Sequence, residues 1–228
     1  MTNQIEKNLR ITAFVALLLT VTWIIFTGIS MSQIQPSWSD IDYLEWVSQP
    51  DIFYLINYIN VTILTVVVIA LFTVMFSYVF EKNRTLALLG IIFIPVYGVL
   101  NLICYSIQIS VVPLIAANAL NTSDSILFAT ELIQSISHSA IGFVNGLAYA
   151  ILGIPSIIYG YMLFKNMKKT SGSLLLINGV LCIIGFVGYM LQNTILSMGV
   201  LLGGIVFLFS LIFMVVDFGK SVKSSAIL

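Results

Sequence analysis

The sequence predicts an all-α integral membrane protein, with residues 1–228 forming one domain that is a polytopic bundle of six transmembrane helices. The first observation behind this prediction is composition. Of the 228 residues, 60% are hydrophobic and 8% are charged, and the mean hydropathy is +1.10. A soluble domain carries about 25% charged residues. This chain therefore has too few charged side chains to cover a surface that faces water.

The second observation is the number of long apolar segments. A spanning helix needs about 20 mostly apolar residues, and six segments meet that requirement: 10–30, 52–80, 86–111, 138–164, 173–192 and 196–218. The first of them is interpreted as a retained span rather than a signal peptide. Its apolar run is longer than a usual signal sequence, and no small-x-small cleavage motif follows it.

The third observation is the position of the basic residues. All nine lie before span one, between spans two and three, between spans four and five, or after span six: Lys7, Arg10, Lys82, Arg84, Lys165, Lys168, Lys169, Lys220 and Lys223. The connections on the opposite side contain none, and an odd number of spans would break this alternation. The positive-inside rule therefore predicts a multi-pass protein of the cell (cytoplasmic) membrane with both termini in the cytoplasm.

Two connections on the predicted outer side are long enough to hold short interfacial helices. In SWSDIDYLEWVSQPD, Ser37 or Ser39 can cap a helix that carries aromatic and aliphatic side chains. The second segment, residues 121–137, offers cap residues followed by an apolar stripe at helical spacing. One unbroken helix from there to Phe164 would be at least about 60 Å long. We therefore expect a separate helix or a bend near Ser135–Ser139.

Polar side chains concentrate in the outer halves of the predicted spans. On a helix that includes Glu131, the residues Ser135, His138, Asn145 and Tyr149 would share one face. Polar groups are costly in hydrocarbon unless they are paired or wetted, so we predict one shared pocket that opens outward. The candidate ligand-binding residues are His138, Asn145, Tyr149, Asn101, Tyr105, Gln108, Asn57, Tyr54 and Trp23. The alternative is that these groups only join helix to helix.

Several site classes are disfavoured by residue content. One histidine and the absence of a Cys-x-x-Cys motif cannot supply a common zinc site, so no metal, cofactor or catalytic residue is assigned. Cys104 and Cys182 are expected to be packing residues. Nine basic and nine acidic residues give no net basicity that would indicate nucleic acid. The GxxxG pairs at 142–146 and 199–203 predict tight helix packing and leave a homo-oligomer open.

Several segments carry a family resemblance. The outer segment with DYL, the long second span, the inner loop EKNRTLALLG and the stretch GLAYAILGIPSIIYGYMLFKNMKK resemble a family of small six-span prokaryotic membrane proteins. That family is described only as a domain of unknown function. The resemblance implies a prokaryotic cell-membrane protein and carries over no catalytic residue.

Three functions stay open at this point. The favoured one is binding or transport of a small amphipathic or lipid-like ligand, with membrane lipids as the surrounding partners. The second is a structural, sensory or accessory role exerted through a partner protein. The third is an intramembrane isomerase using His138 with Tyr105 or Asn101. The enzyme is less favoured, because such chemistry needs at least two converging titratable groups.

Overall fold

The structure, a computed structural model, describes residues 2–122, 125–136, 138–166 and 168–225, without the side chains of residue 2 and residues 220–225. These residues form helices and connections, with no β-strand among them. In chain order the helices are α1 (Thr2–Met31), α2 (Asp40–Ser48), α3 (Ile52–Phe80), α4 (Arg84–Ile91), α5 (Ile94–Ser110), α6 (Val112–Ala119), α7 (Ile126–Glu131), α8 (Ala140–Lys165), α9 (Lys169–Met190), α10 (Thr194–Ser197) and α11 (Gly199–Ser225).

Six spans are long and apolar enough to cross a membrane, and they confirm the predicted all-α six-helix fold. They are α1, α3, α4 with α5, α8, α9, and α10 with α11. The third is interrupted at residues 92 and 93, just before Pro95, because proline removes a backbone donor and crowds the preceding turn. The protein is therefore a multi-pass integral membrane protein.

The six spans form a ring in the order of the chain. Each of α1, α3, α5, α8, α9 and α11 packs against the next, and α11 returns to α1. Both described ends of the chain therefore lie at one end of the bundle. We call this the basic end, because all the lysine and arginine residues belong to it. The other end, called the acidic end, carries Asp40, Asp42, Glu45, Asp51 and Glu131.

Glycines bring α8, α9 and α11 into backbone contact. A Cβ atom at Gly153 would lie 2.6 Å from the carbonyl oxygen of Gly179, and one at Gly160 would lie 2.8 Å from that of Gly172. A Cβ atom at Gly199 would lie 2.8 Å from the backbone nitrogen of Gly185 on α9. Small residues at such crossings let transmembrane helices approach closely. These three helices therefore form one tightly packed side of the ring.

The half of the ring nearest the basic end, called the basic half, is filled by buried apolar side chains. The side chains of Phe72, Met75, Tyr159 and Phe218 are essentially inaccessible to solvent there. The Tyr159 hydroxyl donates to the backbone carbonyl of Ala87 at 3.1 Å, which satisfies its polar atom and joins α8 to α4. Aromatic and aliphatic side chains thus close this end of the bundle.

The acidic end is covered by the short helices α2, α6 and α7, which pack on one another. Ser39 caps α2, and its hydroxyl and backbone N–H both donate to the Asp42 carboxylate, at 2.7 and 2.6 Å. These two hydrogen bonds lower the pKa of Asp42. Positions 123, 124 and 137 of the second outer segment lie outside the described residues.

The fourth span begins two residues later than expected, and the predicted common face from Glu131 to Tyr149 is wrong. The helix α7 ends at Glu131, and residues 132–136 are irregular. The Ser139 hydroxyl accepts from the N–H of Gly142, and the Glu131 carboxylate accepts from the N–H of Ala140 at 2.6 Å. These two acceptors bind backbone N–H groups in the first turn of α8, which have no partner within the helix. The helix α8 therefore begins at Ala140 and does not continue toward α7.

Candidate ligand-binding cavity

A cavity of about 210 Å³ lies inside the acidic half of the ring, and all six spans contribute to its wall. The helix α1 contributes Trp23 and Thr27, and α3 contributes Asn57. Trp46 of α2 and the irregular segment after α7 also line it. The helix α2, the irregular segment and the six spans therefore line the cavity together.

A network of amides and phenols forms the wall nearest α5 and α8. The Asn145 amide donates to the Asn101 side-chain oxygen at 3.0 Å and to the Tyr105 hydroxyl at 3.1 Å. The hydroxyls of Tyr105 and Tyr149 lie 2.8 Å apart, within hydrogen-bonding distance. Asn145 thus bridges two helices in the ring. Such connected polar groups hold each other in one arrangement.

The irregular segment after α7 is held over the cavity by two glutamines. Gln108, fully buried on α5, donates to the carbonyl of Leu132 at 2.7 Å and accepts from the backbone N–H of Gln134 at 3.2 Å. Gln134 in turn donates through its side chain to Asn145 at 3.1 Å. Tyr54 of α3 donates to the Gln108 side-chain oxygen at 3.3 Å. Gln108 thus satisfies two backbone groups of the irregular segment, the carbonyl of Leu132 and the N–H of Gln134.

The far wall of the cavity joins α1 to α3 through polar pairs. The Thr27 hydroxyl donates to the Asn57 side-chain oxygen at 2.9 Å. Near the same interface, the Asn60 amide donates to the carbonyl of Leu19 at 3.0 Å, although Asn60 does not line the cavity. This wall therefore combines two kinds of contact, one that faces the cavity and one that only joins helices.

The floor of the cavity lies near the middle of the bundle. The mostly apolar residues there are Val68, Leu152 and Phe207, and Asn178 of α9 adds an amide. The Asn178 side chain is 3% exposed and donates to the carbonyl of Gly203 at 2.9 Å. The cavity is therefore more polar near the acidic end and more apolar toward its floor.

Three buried polar atoms of the cavity wall have no hydrogen-bond partner among the described residues. They are Oε1 of Gln134, Oγ of Ser135 and Oδ1 of Asn178. Behind the wall, Nδ2 of Asn101 is also buried without a hydrogen-bond partner among the described residues. A buried polar atom without a partner costs about 1–3 kcal/mol. The three atoms of the wall are buried within the packing of residues that line the cavity.

Of the nine predicted candidates, eight belong to this region. Trp23, Asn57, Tyr105, Asn145 and Tyr149 line the cavity. Asn101 and Gln108 lie one hydrogen bond behind the wall, and Tyr54 lies two behind it, through Gln108. The structure thus brings together polar groups from the helices α1, α3, α5 and α8. Whether they bind a ligand is a proposal that is made below.

His138 is the exception, and its predicted place in the shared pocket needs correction. The residue precedes the first turn of α8 with φ of 65°, in the left-handed region, and its side chain is exposed. Its ring lies 5.1 Å from that of Tyr189, in a surface depression shared with Glu131 and Gln192. The break before α8 turns His138 away from Asn101 and Tyr105. The geometric premise of the isomerase hypothesis is therefore missing.

Many lining residues were not among the predicted candidates, and three polar ones show why. Gln134 was not selected because it falls off the helical face assumed for residues 131–149, and that helix does not exist. Asn178 was not selected because the candidates were drawn from the outer halves of the predicted spans, and it lies at the cavity floor near the middle of the bundle. Tyr97 could have been found, because it stands four residues before Asn101 on the same helical face.

Comparison of this chain with protein-family models, with curated proteins and with solved structures finds no match. Sequence and structure thus describe a multi-pass membrane protein that encloses a cavity in one half of a six-helix ring. A function has to be argued from the cavity itself.

Proposed function

We propose that this protein binds a small amphipathic ligand in the cavity of its acidic half. The observation that carries the proposal is a cavity lined by all six spans, in which amide and phenol side chains from several helices converge. Concave sites with mostly apolar walls and a few convergent polar groups are typical of small-molecule binding. The side chains of Asn57, Gln134 and Asn145 would bind a polar group, and the floor would receive an apolar one.

The size of the cavity favours a compact ligand over a complete membrane lipid. The cavity has a volume of about 210 Å³. Sites for drug-sized molecules usually measure about 300–1,000 Å³. The dimensions therefore support a single short chain or a small ring system, and they disfavour a two-chain phospholipid.

The charge distribution supports an orientation for this site. Lysine and arginine belong to the basic end alone, and the positive-inside rule assigns such an end to the cytoplasm. On this orientation the cavity lies in the outer half of the cell membrane, and ligand would enter from the outer leaflet or the outer aqueous phase. The packed core of the basic half favours binding over passage in this conformation.

The proposal can be tested by extracting the protein together with native lipids and identifying retained small molecules by native mass spectrometry. Replacement of Asn145 by leucine removes the amide that joins three cavity groups, and we expect it to abolish retention. The matched control is His138→Ala, which removes an exposed polar side chain outside the cavity and should leave retention unchanged. Absence of any retained molecule in the unmodified protein, or equal loss in both variants, would contradict the proposal.

A further inference from the structure

A groove at the basic end of the bundle lies between α1 and α11. It is lined by two cationic and two apolar residues of α1 and by one apolar residue of α11: Lys7, Arg10, Ile11, Phe14 and Val215. About half of each apolar side chain of α1 is exposed, 51% for Ile11 and 48% for Phe14. Apolar groups that stay exposed on a spanning helix face the hydrocarbon of the membrane. The groove therefore combines two cations with a surface suited to lipid.

The Arg10 side chain packs directly on Gly219 of α11. A Cβ atom at Gly219 would lie 3.3 Å from Nε and 3.4 Å from Cζ of Arg10. A larger residue at position 219 would therefore push the guanidinium out of its place. The glycine lets Arg10 of one helix lie against the backbone of the other, so the cation belongs to both walls of the groove.

The acidic residues nearest to the groove along the chain interact with other helices. Glu6 acts electrostatically on Tyr78 of α3. The Asp217 carboxylate accepts from the Ser171 hydroxyl of α9 at 2.9 Å, and α9 and α1 are the two different neighbours of α11 in the ring. In the part of the chain that the structure describes, neither carboxylate forms an ion pair with the cations of the groove.

Other cations at the basic end have partners inside the protein. Arg84, Lys165 and Lys168 each lie over an aromatic ring, at 5.3, 4.9 and 4.8 Å from its centroid. Lys7 and Arg10 differ, because no hydrogen bond or ion pair joins them to another described residue. They stand three residues apart on one face of α1. Two such cations favour an anion as their common partner.

We propose that this groove binds an anionic phospholipid from the leaflet that borders the basic end. The lipid phosphate would accept hydrogen bonds from the ammonium of Lys7 and the guanidinium of Arg10. One acyl chain would lie along Ile11, Phe14 and Val215. Basic pockets between transmembrane helices are typical sites for anionic headgroups. This site is separate from the cavity of the acidic half, and the proposal does not depend on the function proposed for that cavity.

The order of the groups along α1 favours a lipid over free phosphate. Phe14 stands four residues after Arg10, about 6 Å farther from the basic end at about 1.5 Å per residue. The cations therefore lie nearest the water and the apolar surface lies deeper, in the same order as the phosphate and the acyl chain of a phospholipid. Free phosphate has no apolar part that could cover this deeper surface.

The test is native mass spectrometry of the delipidated protein in a non-ionic detergent. The protein is titrated with dioleoylphosphatidylglycerol or with dioleoylphosphatidylcholine, which have the same acyl chains but differ in net charge. We expect the dissociation constant of the first bound phosphatidylglycerol to be at least about tenfold lower than that of phosphatidylcholine, because two basic residues attract it. Equal dissociation constants would contradict the proposal.

Matched double variants locate the preference at the groove. Replacement of Lys7 and Arg10 by glutamine should bring the two dissociation constants to within about twofold of each other. The control replaces Lys82 and Arg84 by glutamine, which removes the same charge at the same end of the bundle but outside the groove. The control should keep its preference. A preference that survives in the first variant, or that falls equally in both, would overturn the proposal.

Two further measurements complete the test. Arg10→Gln alone should lower the preference about fivefold, and it replaces the double variant if that variant does not fold. A large excess of ammonium phosphate, compared with ammonium acetate at equal ionic strength, should leave the bound phosphatidylglycerol in place. Displacement of the lipid by phosphate but not by acetate would show that the groove takes a free phosphate, and would overturn the assignment of a lipid.

Discussion

The two halves of this bundle are built from the same six helices but are filled differently. In the basic half, aromatic and aliphatic side chains such as Phe72 and Tyr159 form a fully buried core. In the acidic half, amides and phenols line a cavity of about 210 Å³. The difference indicates that the basic half supplies the stability of the ring. The acidic half can therefore contain buried polar groups without partners, whose free-energy cost the packing of the basic half offsets.

The largest expected effect compares two leucines of α3. Leu71 is fully buried in the basic half, whereas Leu64, two turns earlier, lines the cavity. We expect Leu71→Ala to lower the free energy of unfolding by about 2–5 kcal/mol, because it opens a new void. The same change at Leu64 should cost clearly less, since Leu64 already borders the cavity and its truncation enlarges an existing space. Thermal denaturation in detergent measures both, and equal losses would show that the halves are packed alike.

A smaller effect is expected at the backbone contact between α8 and α9. A Cβ atom at Gly160 would lie 2.6 Å from the backbone nitrogen of Leu176, so Gly160→Ala must push the helices apart. We expect a loss of about 1–3 kcal/mol. Gly28 of α1 has no atom within 4 Å of such a Cβ, and Gly28→Ala is the matched control. If both variants melt at the temperature of the unmodified protein, the close helix contact is not a source of stability.

The smallest effect is expected at the cap of α2, on the cover of the acidic half. Because hydrogen bonds from Ser39 lower the pKa of Asp42, the cap stabilises α2 above the usual pKa of an aspartate. This stabilisation is lost as the pH falls through the lowered value. Ser39→Ala should reduce the protection of α2 amides against hydrogen exchange at pH 7, with little change in melting temperature. Unchanged protection would mean that packing on α6 and α7 alone holds this helix.

The comparison also shows which features a sequence can predict. The six spans follow from apolar length and from the placement of lysine and arginine, because the membrane imposes both constraints on each segment separately. The break expected near Ser135–Ser139 from the length of the segment is confirmed, since α7 ends at Glu131 and α8 begins at Ala140. The common face drawn from Glu131 to Tyr149 assumed a continuous helix, and the caps formed by Ser139 and Glu131 compete with such a helix. His138 was misplaced for this reason.

The composition of the cavity depends on which helices are neighbours, and the sequence alone does not state this. Asn145, Tyr149 and Tyr105 could be predicted as polar residues at similar depth in their spans. Gln134 and Asn178 belong to the cavity wall only because the irregular segment folds inward and α9 completes the ring. Local patterns therefore predicted the polar character of the site, and tertiary packing determined its floor and cover.

The most direct test of the difference between the halves is an electron cryomicroscopy map of the protein in native-lipid nanodiscs, with a rigid binding partner added for particle alignment. The account predicts density for a bound small molecule between Trp23, Asn57 and Asn145, and none that is not protein inside the basic half. A map in which neighbouring side chains fill the cavity, or in which it is empty or holds only water, would contradict the account.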